Sequence, residues 1–444
     1  MIVLRENALP IREHRNRAAR AARGFHDTYK MSILKLLDQH ENRLTRSLNL
    51  VASENLVSAD VRRALASDVS MRYCIPPEGE RPPSIWDYPN QSWVRGIANE
   101  TDRLARQLFH AEYADSRPLS GNQVAQIILM VLVSRGDTVW SVPSDCGGHF
   151  ATRVIAEREG LNLVPIPYDR ERGVIDVDAA GALAGKQPPR LVFLDASMQL
   201  FPHPVKALRE AIGPEPIISF DASHTLGLIA GKAFQSPLEE GADLLHGSTH
   251  KTLWGPQKGL ITARENGPIA ARIRDSIVPL FVSNVHVHHV AALGAALEEC
   301  VAYGEDYAHA VVRNAKALAE SLSEAGANVL FAGLGGTRSH QVMMDLGGRP
   351  DSLAAWERLQ AAGLNTNAIT LPFRPSFGLR LGVAEATRRG LGRDEMRQLG
   401  TWIAELAAGR ASPEKIANSV ADMSARFSVI RYAREATRIA DLAH

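Results

Sequence analysis

The chain has 444 residues, of which 45% are hydrophobic and 22% are charged. Fifty basic residues almost cancel forty-nine acidic ones, which leaves a formal net charge of +1. This composition is typical of a globular enzyme with a large core, and it excludes binding of nucleic acid through overall positive charge. A chain of this length is expected to contain more than one structural unit.

The three cysteines, Cys74, Cys146 and Cys300, are far apart and form no CxxC pair. The sequence therefore predicts neither a disulfide framework nor a zinc ribbon, as expected in a reducing cytoplasm. The basic N-terminus lacks the apolar segment and cleavage site of a secretory signal. The longest apolar stretch, 124–133, is too short to cross a membrane. We expect a cytoplasmic protein with neither membrane nor nucleic-acid partners.

Residues 1–48 are predicted to form an N-terminal arm of one or two amphipathic helices. Its arginines are interpreted as a solvated helical face rather than a nucleic-acid patch. From about 118 to 265 apolar strands alternate with helices, which predicts an α/β domain with a mostly parallel sheet covered on both faces. We place this large domain at 49–300 and a smaller α+β domain at 301–444.

Three predicted strands end in small or polar residues, in "LDAS", "FDAS" and "LHGST". Ligands of open α/β sheets bind beyond the carboxyl ends of the strands, so we expect the functional site there. Asp221 and His224 follow one such strand, and Lys251 follows the next. Enzymes that use pyridoxal phosphate need a lysine for the Schiff base and an aspartate for the pyridinium nitrogen. A structural salt bridge of Asp221 explains the same residues equally well.

Two further motifs could contact such a cofactor. Ser120, Gly121 and Asn122 stand at the start of a predicted helix, where free backbone N–H groups can bind phosphate. Ser and Asn are also common helix caps, so this signal alone is weak. His149 follows two glycines in "DCGGHF" and could lie flat on a cofactor ring, although a surface turn is the simpler interpretation.

Arg380 lies in the apolar strand "SFGLRLGV" and requires an acidic partner, either a substrate carboxylate or a structural one. The histidines of "VSNVHVHH" lack an accompanying cluster of carboxylates or cysteines. We therefore predict no metal site.

Taken in order, the segments "LNLVASENLVS", "LSGNQ", "DCGGHF", "FDASHTLGL", "HGSTHKTLWGPQKGLI" and "GLRLGVAEATRRG" resemble serine hydroxymethyltransferase and its relatives among the fold-type I pyridoxal phosphate enzymes. The resemblance spans about residues 48–390. It implies a seven-stranded-type large-domain sheet, and a homodimer whose active sites are shared between the subunits.

The resemblance also implies the site residues. Lys251 would form the Schiff base and Asp221 would pair with the pyridinium nitrogen. His149 would stack on the ring, with His224 near its phenolic oxygen. The remaining expected cofactor contacts are Ser120, Gly121, Asn122, Ser248, His250 and Asn284. The expected substrate contacts are Ser53, Glu54, Tyr73 and Arg380, and Glu54, Tyr73 and the region of Ser283 and Asn284 are expected to serve the neighbouring subunit.

Several positions depart from the family pattern. Ile75 stands where the family has a glutamate that transfers protons with the folate-borne carbon, and Glu78 or Glu80 could replace it only in a rebuilt loop. Ile369 stands where an asparagine contacts the folate pterin. The family's "GGQGGP" has become "VSNVHV", and Cys146 replaces the first histidine of "HGGH". These changes predict an enzyme that does not use folate.

The retained cofactor segments and altered loops resemble the L-threonine transaldolases. The resemblance implies cleavage of L-threonine to acetaldehyde and a glycyl quinonoid, which then adds to a second aldehyde to give a β-hydroxy-α-amino acid. Trp86, Tyr88 and Trp93 could stack on a ring-bearing aldehyde, although loop packing explains them as well. Serine hydroxymethyltransferase activity and a simple threonine or α-methylserine aldolase remain the alternatives.

Overall fold

The computed structural model describes residues 32–74, 88 and 91–443. The helices are α1 (Ile33–Leu44), α2 (Ala59–Leu65), α3 (Gln91–Phe109), α4 (Gly121–Val131), α5 (Phe150–Glu159), α6 (Val177–Ala184), α7 (Val205–Ile212), α8 (Leu226–Ala230), α9 (Pro268–Ser276), α10 (Val287–Glu324), α11 (Arg349–Ala361), α12 (Ala384–Arg388), α13 (Arg393–Ala407) and α14 (Pro413–Arg426). The strands are β1 (Leu48–Asn49), β2 (Tyr113–Asp115), β3 (Thr138–Ser141), β4 (Asn162–Pro165), β5 (Tyr168–Asp169), β6 (Val174–Ile175), β7 (Leu191–Leu194), β8 (Ile217–Asp221), β9 (Leu244–Ser248), β10 (Gly259–Ala263), β11 (Asn328–Val329), β12 (Gln341–Gly347), β13 (Leu364–Asn365), β14 (Asn367–Thr370), β15 (Phe377–Gly382), β16 (Val429–Ile430) and β17 (Thr437–Arg438).

A seven-stranded sheet with the order β2-β10-β9-β8-β7-β3-β4 forms the centre of the fold. The pairings from β9 through β8, β7 and β3 to β4 are parallel. Strand β10 pairs antiparallel with both β9 and β2, so it runs opposite to the other strands of this sheet. The predicted α/β fold with a mostly parallel sheet is therefore confirmed.

Successive side chains of the central strands enter two different cores. Val192 and Ile218 pack into one hydrophobic cluster, whereas Leu191 and Ile217 pack into another. Because neighbouring side chains of a strand point to opposite faces, both faces of the sheet are covered. This explains why β7 and β10 consist of apolar or small residues throughout.

A second, antiparallel sheet with the order β11-β12-β15-β14 follows later in the chain. Its register places Arg380 of β15 opposite Met343 of β12 and Asn367 of β14. Helix α11 packs against this sheet, and helices α13 and α14 pack against α11. The short strands β1 and β13 pair in parallel and join the segment after α1 to this part of the chain.

The 38-residue helix α10 packs against helices beside both sheets. Residue 300, where the sequence places a domain boundary, lies inside this continuous helix. Next to it, the buried carboxylate of Glu299 pairs with Arg388 at 2.8 Å. The division at 48 and 300 therefore stays a proposal about two units that share one long helix. Within the described parts of the chain, no helix has the length and apolarity needed to cross a membrane.

Candidate active site

A cavity of about 350 Å³ opens where β7, β8 and β9 end. The carboxyl ends of these parallel strands meet at one edge of the sheet, and helix α4 begins beside them. The sequence predicted a site at this edge. The predicted residues that line the cavity are Ser120, Gly121, Asn122, His149, Asp221, His224, Ser248, His250 and Lys251.

Lys251 lies in the turn after β9, and its amine reaches into the cavity. Burial lowers the pKa of this amine to about 8, while the Asp221 carboxylate opposes the shift and Arg380 adds to it. Part of the amine is therefore uncharged near neutral pH, as a nucleophile must be. The Lys251 carbonyl oxygen accepts a hydrogen bond of 2.7 Å from Asn55 Nδ2, which holds the turn in place.

Two carboxyl groups lie at the ends of neighbouring strands. Asp221 ends β8, and its Oδ1 accepts a hydrogen bond of 2.8 Å from the Ser223 backbone N–H. Asp195 follows β7 and receives bonds from Thr152 Oγ1 at 2.5 Å and the Val142 N–H at 3.2 Å. Burial, with a smaller contribution from Asp221, raises the pKa of Asp195 to about 7. The deeper carboxyl, Asp195, is thus partly protonated near neutral pH.

The cavity also contains three imidazoles that are uncharged at neutral pH. His149 caps helix α5, and burial lowers its pKa. Its Nδ1 accepts a bond of 3.3 Å from the Ala151 N–H, which assigns the ring proton to Nε2. Burial also lowers the pKa of His224 far below its usual range and that of His250 to about 4. Nδ1 of both rings is buried without a partner in the described part of the protein.

The start of helix α4 lines one part of the cavity. Ser120 caps this helix by accepting a bond of 3.1 Å from the Gln123 N–H. A Cβ atom on Gly121 would lie 2.1 Å from Ser248 Oγ, so glycine allows the helix end to approach β9 closely. Backbone N–H groups of the first turn have no partner within a helix and can bind phosphate oxygens.

Arg380 is a half-buried guanidinium that forms no ion pair with any described carboxylate. Its Nη2 donates to Asn367 Oδ1 at 3.3 Å, and its buried Nε has no partner among the described groups. The charge of Arg380 contributes to the lowered pKa values of Lys251 and His224, so the three groups are close. A free guanidinium at this place can bind the carboxylate of an amino acid through two hydrogen bonds.

The segment around Ser53 connects Arg380 with the lysine turn. Gly382, two residues after Arg380, donates its N–H to the Leu50 carbonyl at 2.7 Å. At the other end of the segment, Asn55 bonds to the Lys251 carbonyl. Ser53, which lies between these anchors, is half-buried.

Besides Ser53 and Arg380, the predicted residues Glu54, Tyr73 and Asn284 do not line this cavity. Glu54 is exposed and accepts a bond of 2.8 Å from Asn49 Nδ2. Tyr73 is 49% exposed and stacks on Tyr88 at 5.0 Å. Asn284 bonds to the backbone before and after Tyr73. Its Oδ1 accepts from the Cys74 N–H at 3.1 Å, and its Nδ2 donates to the Arg72 carbonyl at 3.2 Å. Their expected role toward a neighbouring subunit stays a prediction.

Some cavity residues were not singled out from the sequence. They include Asp195 and Ser197, although the motif "LDAS" that contains them did indicate the right strand end. Lys258 also lines the cavity and is 1% exposed. In the sequence, Lys258 stands between a Gly-Pro turn and an apolar strand. This position could have indicated that its charged side chain is buried.

The positions that depart from the family pattern are only partly described. Ile75, Glu78, Glu80 and Trp86 lie outside the described residues. Ile369 pairs with Gly378 in the second sheet and packs, half-buried, in an apolar cluster. Cys146 is buried, which raises the pKa of its thiol to about 11, so this side chain is uncharged where the family has a histidine.

The residues present fit pyridoxal phosphate. Its aldehyde needs an uncharged lysine, its ring nitrogen needs a carboxylate and its phosphate needs N–H donors, and the cavity supplies all three. The buried Nδ1 atoms of His224 and His250, which lack partners within the described chain, provide further polar contacts for a bound molecule.

Comparisons with known proteins agree with this chemistry. The serine hydroxymethyltransferase family model matches residues 27–403. The serine hydroxymethyltransferase of Methanopyrus kandleri is 37% identical over 94% of this chain and 99% of its own length, and that of Archaeoglobus fulgidus is 38% identical over 91% and 93%. A crystal structure of L-threonine transaldolase from Pseudomonas fluorescens, in the internal aldimine state, is 29% identical with a TM-score of 0.85 over 95% of this chain and 96% of that chain.

The family match covers most of the chain, and the curated relatives align over nearly their whole length. The fold, the placement of the cavity and these matches agree with one another. The chain therefore belongs to the serine hydroxymethyltransferase family and is an enzyme of the pyridoxal-phosphate-dependent transferase class.

Proposed function

We propose that this protein is an L-threonine transaldolase that works without folate and joins a glycine unit to a second aldehyde. The observation that carries the proposal is the loss of polar groups at Ile75 and Ile369, where the family contacts folate. The hydrocarbon side chain of Ile369 packs in an apolar cluster and can form no hydrogen bond. The likeness to a transaldolase structure over nearly the full length gives further support.

When bound, pyridoxal phosphate withdraws the electron pair that the amino acid leaves on Cα, so the Cα–Cβ bond can break and form. Lys251 would hold the cofactor aldehyde, since part of its amine is uncharged near neutral pH. Asp221 would keep the ring nitrogen protonated. The first turn of α4, from Ser120 to Asn122, would bind the phosphate group.

Arg380 would bind the carboxylate of L-threonine, with Ser53 beside it. Cleavage also requires a base that removes the proton from the substrate β-hydroxyl. The uncharged imidazoles of His149, His224 and His250, or a water held by them, can accept this proton. Acetaldehyde then leaves, and a second aldehyde enters the same space.

A second function has its own support. The curated relatives at 37 and 38% identity are named serine hydroxymethyltransferase, an activity that would require Glu78 or Glu80 to replace the family's proton-transferring glutamate. A simple threonine or α-methylserine aldolase is the third candidate. It would release glycine or alanine without a second aldehyde.

One product assay separates the three functions. The purified holoenzyme is incubated with L-threonine, with and without an aromatic aldehyde, and the products are identified by mass spectrometry. A parallel reaction contains L-serine and tetrahydrofolate, and Lys251→Ala is the inactive control. We expect a β-hydroxy-α-amino acid that contains the added aldehyde. Rapid methylene transfer to tetrahydrofolate would identify a hydroxymethyltransferase, and free glycine regardless of added aldehyde would identify an aldolase.

A further inference from the structure

Lys258 is a buried lysine that the proposed reaction does not use. It lines the same cavity as Lys251 and is 1% exposed. Its Nζ donates to the Val285 carbonyl at 3.2 Å and forms no ion pair with any described carboxylate. A buried ammonium group is costly unless an anion or several acceptors surround it. The other N–H groups of this amine have no hydrogen-bond partner among the described residues.

The backbone fixes Lys258 beside the start of helix α4. Its carbonyl accepts a bond of 3.0 Å from the Thr249 N–H. The following residue, Gly259, donates to the Pro118 carbonyl at 3.2 Å. A Cβ atom at Gly259 would lie 2.6 Å from the Ser120 carbonyl oxygen, so the backbone at this point touches the helix cap. Lys258 thus belongs to the same end of the cavity as the N–H groups of α4.

The nearby acidic groups are already occupied. Asp115 pairs with Arg117 at 2.6 Å and accepts a bond of 2.5 Å from the Tyr113 hydroxyl. Asp102 accepts from the Ser116 N–H at 3.0 Å, and burial raises its pKa to about 7. These two carboxyls oppose the loss of the Lys258 proton, but burial dominates and lowers the pKa of this lysine to about 7.

The groups that face Lys258 from the start of α10 are histidines, which carry no negative charge and cannot balance the charge of the lysine. His286, His288 and His289 are close enough that the lysine charge contributes to lowering their pKa values. No described carboxylate pairs with the ammonium form of Lys258, and the adjoining first turn of α4 favours a bound anion.

We propose that Lys258 binds the phosphate group of pyridoxal phosphate, together with the N–H groups of α4. This inference rests on the proposed cofactor site and not on the choice between transaldolase and hydroxymethyltransferase. The phosphate would receive a charged hydrogen bond, and Lys258 would gain the anion that it lacks. Since the phosphate favours the ammonium form, binding above about pH 7 would also take up a proton.

The test compares two forms of the cofactor on cofactor-free protein. Pyridoxal phosphate and pyridoxal, which lacks the phosphate, are titrated into the wild type, Lys258→Met and Lys258→Arg, and the affinity is read from absorbance. We expect Lys258→Met to weaken binding of pyridoxal phosphate by about 10–100-fold and to leave pyridoxal binding unchanged. Lys258→Arg should retain most of the affinity. Lys206→Met, at an exposed position on α7, is the matched control and should have no effect.

Equal weakening for both cofactor forms would overturn the inference and assign Lys258 a structural role. Unchanged binding of pyridoxal phosphate would overturn it as well. Thermal unfolding of each cofactor-free variant is measured first. If Lys258→Met does not fold, Lys258→Gln replaces it. If the protein does not bind pyridoxal phosphate through Lys251, the result is different. The wild type itself would then show no absorbance change that depends on Lys251.

Discussion

Burial of a single amine determines when Lys251 can react. The pKa of its side chain falls from 10.5 to about 8, so the ammonium form dominates below pH 8 and the amine above it. We expect the rate at which pyridoxal phosphate attaches to the cofactor-free protein to rise about tenfold per pH unit up to pH 8 and then to level off. Rapid-mixing absorbance measures this rate, and Lys251→Ala should form no bound band. A rate that is constant between about pH 6 and pH 9 would contradict the assignment.

Arg380 is the residue that we expect to bind the substrate carboxylate. Its guanidinium is half-buried and pairs with no carboxylate among the described residues, so a substrate carboxylate can contribute strongly. We expect Arg380→Ala to lower kcat/KM for L-threonine by about 10²–10³-fold. Lys at this position restores charge but not the fork of donors, so Arg380→Lys should recover only part of the loss.

The absorbance of bound cofactor should stay unchanged in both Arg380 variants, because Lys251 and Asp221 remain. Arg397→Ala removes an exposed arginine from α13 and serves as the control. If Arg380→Ala lost the cofactor together with the activity, the arginine would belong to the cofactor site instead of the substrate site.

Strand β15, which carries Arg380, lies in close contact with the segment that bonds to the lysine turn through Asn55. A Cβ atom on Gly382, the last residue of β15, would lie 2.3 Å from the Ala52 Cα. Backbone atoms cannot rotate away, so Gly382→Ala must separate the strand from the segment that carries Ser53 and Asn55. We expect a loss of about 1–3 kcal/mol in the free energy of unfolding and a raised KM for L-threonine.

Gly96→Ala is the matched control for this substitution. Gly96 lies in α3, where a new Cβ would meet nothing within 4 Å, so alanine should be neutral or stabilising by about 0.5–1 kcal/mol. Thermal unfolding and steady-state kinetics measure both effects. A Gly382→Ala protein with unchanged stability and KM would show that the segment and the strand are not coupled.

The elements themselves were largely predictable from the sequence. Apolar runs that end in small or polar residues located β7, β8 and β9, and with them the edge of the sheet that holds Asp221 and Lys251. The same pattern does not encode direction, so "KGLITAR" predicted a strand at β10 but not its antiparallel orientation. Direction depends on packing between distant segments, which a local pattern does not contain.

Contacts between distant segments also explain which site residues escaped prediction. The approach of Gly121 to Ser248 and the burial of Lys258 arise only when α4 meets β9 and β10. Asp195 shares its motif with a correctly predicted strand end, but its raised pKa follows from burial in the folded protein. Residues whose chemistry is local were therefore predictable from the sequence, whereas residues whose role depends on their surroundings were not.

On the scale of the whole molecule, helix α10 joins the two sheets. Arg388 from the later part of the chain pairs with Glu299 of α10 and lies 4.6 Å from the ring centre of Trp254, just after the lysine turn. All three side chains are almost completely buried. This contact helps to fix the second sheet, and with it Arg380, relative to the turn that carries Lys251.

Glu54, Tyr73 and Asn284 lie outside the cavity that contains Lys251. We propose a homodimer in which Tyr73 of one subunit completes the site that contains Lys251 of the other. Heterodimers of a Lys251→Ala subunit and a Tyr73→Ala subunit, isolated with two different tags, would have one site with both substitutions and one with neither. We expect roughly half of the wild-type activity from such heterodimers, although each parent homodimer is impaired.

The control pairs Lys251→Ala with Arg380→Ala. Within one chain Arg380 lies close enough to Lys251 for its charge to help lower the pKa of the lysine, so each site of this heterodimer would carry one substitution and activity should stay low. Light scattering checks that both mixtures are dimers. If Tyr73 served its own subunit, the Tyr73 heterodimer would behave like the control, with one defect in every site. Recovery in the first pair and not in the second would therefore assign Tyr73 to the neighbouring subunit, because only a shared site separates its two defects in this way.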